Sequence, residues 1–355
     1  MKINIVIPST VLGGGVRVLF IYANALTDLG HDVVVYLPLI YSWKALNGGV
    51  PNLHTTLGNS IKRGSTVPWF SCKFPIKRVP LIINRFIRDA DITIASAWYT
   101  AQNVAELSPA KGKKVYFIQG YELNENGDNK ADVEKSYCLI DSNITIARWL
   151  DTLVSDITGK RTFVLLNGID DNEFIRGEKK TNDRKTVIML GNMASYKGTK
   201  NGIQVLKQMQ KEHNIRVIIY AASPSAEIPE SFEFYCQPKR SELMKLYEEA
   251  DICLFPSIRE GWGLTVTEAM AHKCAVVGNP TGALNEIGVD GVNAIFSDGP
   301  SVNALYNALE KLLNDEGLMK KIQDSGYRTV SDLKISKQVE KLEKYLKHIV
   351  GGVHL

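Results

Sequence analysis

The stretch "EGWGLTVTEAMAHKCAVVGNPTGALNEIGVDGVNAIF", residues 260–296, opens with a glycine-rich turn. A helix over "GLTVTEAMAHK" and a buried strand over "CAVVGNP" follow. Gly261, Gly263 and the unpaired amides of a helix start attract an anion. Glu260 and Glu268 stand on either side of that start, where a carboxylate would repel a bound phosphate. The two acids must therefore serve another part of the same ligand.

Outward from this segment, helix and strand keep alternating. "TVIMLGN", "RVIIYAA" and "ICLFPS" precede it as strands, together with "TFVLLNG", and "GTKNGIQVLKQMQKEH" and "RSELMKLYEEA" lie between them as helices. The first half repeats the scheme. "INIVIP", "DVVVYLP", "ITIAS", "KVYFIQ" and "YCLIDS" are short β-branched-rich runs suited to buried parallel strands, with the helical "VRVLFIYANALTDLG" after the first. His31, in "LGHDVVVY", ends that helix before the second strand. Two Rossmann-like α/β halves account for the pattern. "RDADITIASAW" (88–98) and "EEADICLFPSI" (248–258) echo one another, each with Ala-Asp leading into an apolar strand that ends at serine. These acids precede their strand, whereas an Asp-x-Asp metal motif follows one.

The boundary is placed at "SDITGKRTFVLLNGIDD", which gives an N-terminal domain over 1–162 and a C-terminal domain over 163–332. "RGEKKTNDRKT" (176–186) reads as a surface loop. Residues 333–350 form an amphipathic helix with Ile335, Val339, Leu342 and Leu346 on one face. That face permits packing back on the first domain and equally a surface place on the second.

Composition bounds the function. The chain has 355 residues, long for one core and comfortable for two, and its 45% hydrophobic and 23% charged residues describe an ordinary soluble globular protein. No apolar run is long enough to span a bilayer, and "MKINIVIPST" has no signal-peptide pattern, so the expected location is the cytoplasm. Cys72, Cys138, Cys236, Cys253 and Cys274 form no C-x-x-C pair and read as buried thiols; neither they nor the histidines are spaced as a metal cage. "VLGGGVRV" allows close backbone approach before a helix through Gly13, Gly14 and Gly15. Val18 stands where a dinucleotide fingerprint needs its third glycine, and no acid ends the second strand, which argues against a nicotinamide dehydrogenase. A P-loop motif is also missing.

Over residues 163–297 the chain resembles the GT-B glycosyltransferases of family 4, whose second domain carries E-x7-E in the setting of Glu260 and Glu268. "LLNGIDDNEF" is similar to that family's segment entering the second domain, and "MLGNMASYKGTKNGIQVL" to its phosphate loop; agreement at 1–37 is weaker. The resemblance implies two Rossmann-like domains facing each other across a cleft, with a nucleotide-sugar donor held by the second.

In that setting Glu268 accepts hydrogen bonds from the ribose hydroxyls. Glu260 and the backbone of Gly261, Trp262 and Gly263 face the transferred sugar. The amides near Leu264, Thr265 and Val266 meet the diphosphate. Gly14, Gly15, Gly191 and Asn192 complete the donor side, and Lys197 stabilises the departing diphosphate in place of a metal. Lys197 and Glu260 are the expected catalytic pair, with no cofactor and no metal.

Two departures stand out. Asn192 occupies the family's usual arginine position, which leaves Arg17 and Arg259 as substitute phosphate contacts. The first domain lacks the usual histidine after an inner strand, and Ser96, Trp98, Gln119 and Glu122 are the acceptor-side candidates.

The resemblance further implies transfer of a hexose or deoxyhexose with retention to a glycan or lipid-linked acceptor, by front-face displacement aided by domain closure, in bacterial cell-envelope polysaccharide synthesis. The alternatives are a nucleotide-sugar epimerase of the same fold and an inactive nucleotide-sugar-binding relative; a phosphorylase would need a far longer chain. Residues 62–88 carry Lys62, Arg63, Lys73, Lys77, Arg78, Arg85 and Arg88 without an acid, interleaved with Trp69, Phe70, Phe74 and Phe86. That composition suits a solvated face, or else an anionic lipid surface on the inner face of the membrane. No nucleic-acid signature accompanies it. Oligomeric state is not legible.

Overall fold

The computed structural model describes residues 1–40, 67–123, 130–179 and 184–351. The chain divides into two compact units, Met1–Gly168 with Ile335–Leu355, and Ile169–Lys334.

The first unit is built on seven strands: β1 (Lys2–Val6), β2 (Asp32–Pro38), β3 (Ile76–Val79), β4 (Ile92–Ala95), β5 (Lys113–Ile118), β6 (Ser142–Thr145) and β7 (Phe163–Val164). They lie in the order β3-β2-β1-β4-β5-β6-β7, every neighbour parallel. Its described helices are α1 (Gly14–Asp28), α2 (Trp98–Ala105), α3 (Lys130–Tyr137) and α4 (Arg148–Thr158).

The second unit repeats the plan with β8 (Thr186–Leu190), β9 (Arg216–Ala221), β10 (Glu233–Cys236), β11 (Ile252–Phe255), β12 (Ala275–Gly278) and β13 (Ile295–Phe296), ordered β10-β9-β8-β11-β12-β13 and again parallel. Helices α5 (Thr199–Glu212), α6 (Arg240–Glu249), α7 (Leu264–Ala271), α8 (Ala283–Ile287), α9 (Val302–Asn314) and α10 (Glu316–Val330) cover the sheet. Leu206, Met209, Leu305 and Leu309 pack against Val187, Ile219 and Val277. In each sheet the order reverses beside the first strand, so the loops leaving β1 and β4, and those leaving β8 and β11, open the crevice where α/β sheets bind ligands.

The Ala-Asp echo has one physical cause in both units. Asp91 donates its amide to Lys2 O (2.9 Å), and its carboxylate accepts the Lys2 amide (2.6 Å). Asp251 does the same with Thr186, at 2.8 Å in each direction. Each aspartate thus clamps an inner strand to the first strand of its sheet.

Several expectations change. "YCLIDS" is not a strand: Tyr137 ends α3 with its ring buried, Leu139 is exposed, and the strand begins at Ser142. "TFVLLNG" supplies only the two-residue β7, which pairs with β6 and so belongs to the first unit; the division falls at Gly168, not at 162. β3, β6, β10 and β13 are additional. Cys138 and Cys236 are exposed, one just past the end of α3 and one at the end of an edge strand.

The helix α11 (Ile335–Gly351) buries Gln338, Val339, Leu342 and Leu346 within the first unit. Its Tyr345 ring stacks on Phe163 at 4.1 Å, and its Glu343 meets His31 Nε2 at 2.9 Å. Gly168 admits its close approach, since a Cβ there would stand 2.9 Å from Ile335 Cδ1.

In the basic segment the rings of Trp69, Phe70 and Phe74 surround Phe20, with centroids 5.4–5.6 Å away. They pack on α1, Phe74 buried and Trp69 and Phe70 half-buried. Lys73 pairs with Asp28 and Arg88 with Asp32, and Lys62 and Arg63 lie outside the described residues. Among the described residues no helix is long and apolar enough to cross a membrane.

Candidate functional site

Two loops of the second unit converge at the carboxyl ends of β8 and β11. After β8, Gly191 lies against β9, where a Cβ would meet Ile219 Cγ2 at 2.7 Å. The Asn192 side chain turns back to accept the Ala194 amide at 3.0 Å, so its oxygen is used within the loop. Gly198 then takes φ +62°, with room for a Cβ denied by Pro256 O at 2.1 Å. The close crossing presses Lys197 against the end of β11.

There Lys197 Nζ donates to both Glu260 oxygens at 2.7 Å, with the two side chains only 16% and 9% exposed. Tyr196 joins the loops: its carbonyl accepts the amides of Ile258 and Arg259 at 2.8 and 3.3 Å. Its ring carries Lys197 Nζ at 5.4 Å and Arg259 Cζ at 5.3 Å, a cation–π arrangement on one ring. Arg259 is exposed, and no carboxylate pairs with it among the described residues. The cluster therefore holds two cations against one carboxylate.

Glu260 precedes α7 and Glu268 sits on it, so E-x7-E sets one acid in the loop and one on the helix. Gly263, at φ +84°, makes the turn into α7. The Val266 amide already donates to Gly263 O at 3.0 Å, which leaves Leu264 and Thr265 to present amides to an anion. Trp262 is 3% exposed and Val266 is fully buried, so their side chains line the core. Gly282, at φ +54°, lies against Trp262 O and the Glu260 Cβ, at 2.2 and 2.7 Å from a Cβ placed there.

Glu268 is buried in a polar network that sequence reasoning missed. One oxygen meets Arg240 Nη2 at 2.9 Å, and the other accepts the Tyr247 hydroxyl at 3.5 Å. Tyr247 and Tyr220 hydroxyls stand 2.7 Å apart, and Tyr220 reaches Thr265 Oγ1 at 3.3 Å. Arg240 also donates through Nε and Nη2 to Glu173, at 2.6 and 2.5 Å. Burial works to lower the Arg240 pKa, and the charges of Glu268 and Glu173 outweigh it, so the guanidinium is held above its ordinary value. Burial pushes the Tyr247 hydroxyl far up and pulls His272 down; His272 stacks on Tyr247 and sets Nδ1 2.8 Å from Glu268 O. A signal existed: Arg240 is the first residue of α6, where the helix dipole disfavours a cation.

In the first unit a cavity of about 380 Å³ lies past the ends of β1, β4 and β5 and is lined by Gly15, Ser96, Trp98, Gln119 and Glu122 among others. Gly14 begins α1 beside it. The Gln119 amide rests on Gly15, 3.2 Å from where a Cβ would be. Ser96 Oγ donates to Val6 O at 2.8 Å, which turns it into the sheet. Glu122 accepts the Trp98 amide (2.5 Å) and the Tyr116 hydroxyl (2.9 Å), so one carboxylate oxygen caps α2. Arg17 lies on α1, in this unit.

The family model described as glycosyl transferases group 1 matches residues 170–329. Residues 170–329 belong to the glycosyl transferases group 1 family. This group 1 domain contains Gly191, Lys197, Glu260 and Glu268. The capsular polysaccharide biosynthesis glycosyltransferase CapM of Staphylococcus aureus is 29% identical over 178 residues, 46% of this chain and 46% of CapM. The chain spans about half the length of the curated relatives it matches first. Among solved structures, sucrose-phosphate synthase from Thermosynechococcus elongatus aligns with TM-score 0.76 at 13% identity, covering 99% of this chain and 100% of that one. Anabaena HepE, in complex with UDP-glucose, aligns with TM-score 0.74 at 16% identity, covering 98% and 99%. Two parallel-sheet units with these neighbours make the fold GT-B.

Proposed function

We propose that the chain is a glycosyltransferase that moves a hexose or deoxyhexose from a nucleotide-diphosphate sugar to a glycan or lipid-linked acceptor, with retention of configuration and without a metal. The observation that carries this reading is Lys197 lodged between the Glu260 oxygens at 2.7 Å beside the start of α7. Lys197 and Arg259 exceed Glu260 by one positive charge, next to the amides of a helix start, and that balance favours a diphosphate. Glu268, acceptor-only when ionised, suits the ribose diol one helix away.

In the proposed step the bond from the anomeric carbon to the diphosphate oxygen breaks as the acceptor oxygen bonds on the same face. The acceptor proton passes to the departing phosphate. Lys197 stabilises the charge that grows on that phosphate, and Glu260, released from Lys197 as the donor seats, faces the sugar. The first-unit cavity, with Trp98 and Gln119 in its lining, is the proposed acceptor side. HepE was solved with UDP-glucose and CapM is named for capsular polysaccharide, which supports a nucleotide-hexose donor and an envelope glycan product. The proposed place of work is the cytoplasm, with peripheral contact to anionic lipid through residues 62–88, where Lys77 and Arg85 are exposed cations.

A thermal-shift panel of nucleotides and nucleotide-sugars should find a stabilising donor, since a ligand at 100 times its Kd adds about 2.7 kcal/mol. Mixing that donor with candidate acceptors should then release nucleoside diphosphate. Stabilisation by donor without any release, across glycan and lipid-linked acceptors, would make the protein a binding-only relative.

A further inference from the structure

Arg240 sits between two acids that are nearly out of water: Glu173 is 14% exposed, Glu268 is 8% exposed and Arg240 itself is 29% exposed. It takes hold of them unequally. Nε and Nη2 grip the two oxygens of Glu173 as a fork, at 2.6 and 2.5 Å, and Nη2 alone reaches Glu268 Oε1 at 2.9 Å. A bidentate contact fixes the plane of a guanidinium, which a single contact does not. The orientation of Arg240 is therefore set by Glu173, and Arg240 passes that orientation to Glu268. The Tyr247 hydroxyl meets the other oxygen at a longer 3.5 Å.

The placement of Arg240 is otherwise unfavourable. It is the first residue of α6, where a cation opposes the helix dipole, and an arginine there needs a reason other than helix stability. A carboxylate that reads a diol must aim its oxygens at both hydroxyls. Arg240 supplies that aim from the side facing Glu173.

We infer that Arg240 is a positioning residue that aims Glu268, so that the nucleotide's ribose hydroxyls are read through a Glu173–Arg240–Glu268 relay. This inference rests on the proposed donor-binding role of Glu268. It adds that discrimination of ribose from a sugar lacking its hydroxyls depends on a residue that does not touch the ligand.

Calorimetry on the full chain tests it, with UDP, GDP and ADP each compared with its 2′,3′-dideoxy counterpart. The unmodified protein should prefer at least one ribonucleotide by roughly 10- to 100-fold, the value of one or two hydrogen bonds to a charged group. In Arg240→Gln that preference should fall below about threefold while affinity for the dideoxy nucleotide stays within about twofold, because the phosphate contacts are untouched. Arg240→Lys keeps a charge without the fork and should retain part of the preference. Glu173→Gln, which loosens the fork but leaves Arg240 in place, should also lower it, and both variants can be measured if Arg240→Gln does not fold. Equal losses for the ribonucleotide and its dideoxy form would reduce Arg240 to a structural brace, and an undiminished preference in all variants would overturn the relay. No preference in the unmodified protein would instead overturn the role of Glu268.

Discussion

Lys197 and Glu260 make the sharpest prediction, because the same pair is expected to matter before any donor is present. At 2.7 Å, an effective dielectric of about 20 gives a gross attraction of roughly 6 kcal/mol. Exposures of 16% and 9% mean that water screens little of it, while desolvation of both charges offsets much of it. Lys197→Ala removes one partner and leaves Glu260 nearly buried and unneutralised, a situation that costs about 3–5 kcal/mol. Taking about 3 kcal/mol, and about 2–4 °C per kcal/mol for a domain of this size, the transition of the group 1 domain should fall by about 6–12 °C. Glu260→Gln should cost less, since Lys197 can extend toward water. The double variant Lys197→Met with Glu260→Gln should recover most of the loss, with a coupling of about 2 kcal/mol. Scanning calorimetry of the four proteins without ligand measures it, and shifts that simply add would refute the reasoning.

Catalysis gives a second test of the same lysine: with a donor in hand, Lys197→Ala should lower kcat by about 10² to 10³, Lys197→Arg should recover only part, and Mg²⁺ or EDTA should change neither. A normal kcat with only a raised KM would make Lys197 a ground-state contact. Glu268→Gln should weaken donor and free nucleoside diphosphate alike, whereas Glu260→Gln should weaken the donor far more; calorimetry with both ligands decides, and equal losses in both variants would remove the assignment. His272 is held below its ordinary pKa by burial, so the unfolded chain binds its proton first and stability must decline as pH falls below about 6.5. Denaturation midpoints between pH 7.5 and 5.5 should show that decline, and His272→Asn should flatten it; an identical slope in the variant would discount His272. For the basic segment, replacing Lys77 and Arg85 should weaken binding to anionic vesicles by about 1 kcal/mol per charge at low salt, and co-sedimentation that ignores the substitutions or the salt would return these residues to a solvated face.

Most of the inner strands were legible because both their faces are buried, so β2, β8 and β9 carry unbroken apolar runs and β1 is interrupted only by the buried Asn4. The edges were not. β3 is Ile-Lys-Arg-Val and β10 is Glu-Phe-Tyr-Cys, and with one side in water neither carries a run that composition could separate from loop. "YCLIDS" misled for the opposite reason, since its apolar residues belong partly to the end of a helix and partly to the surface. At the site, the spacing of Glu260 and Glu268 was visible because helix start and acids are local. Arg240 and Glu173 reach Glu268 only through tertiary contact, 28 and 95 positions away (268 − 240 and 268 − 173). Trp69, Phe70 and Phe74 likewise gave no hint that Phe20 gathers them, because that cluster exists only once α1 is in place.

The return of α11 to the first unit makes this chain a nested one. His31 meets Glu343 across 312 positions, whereas the second unit is a single uninterrupted segment, Ile169–Lys334. On a ribosome adding about 5–20 residues per second, the group 1 domain is complete while the helix that closes the first unit has yet to emerge. The earlier-made half must then wait several seconds with the apolar faces of α1 and β7 uncovered. The half that is made first is thus completed after the other. Slowing elongation between residues 169 and 334 would lengthen its exposure to chaperones and proteases, and a clone of 169–334 alone would remove the wait.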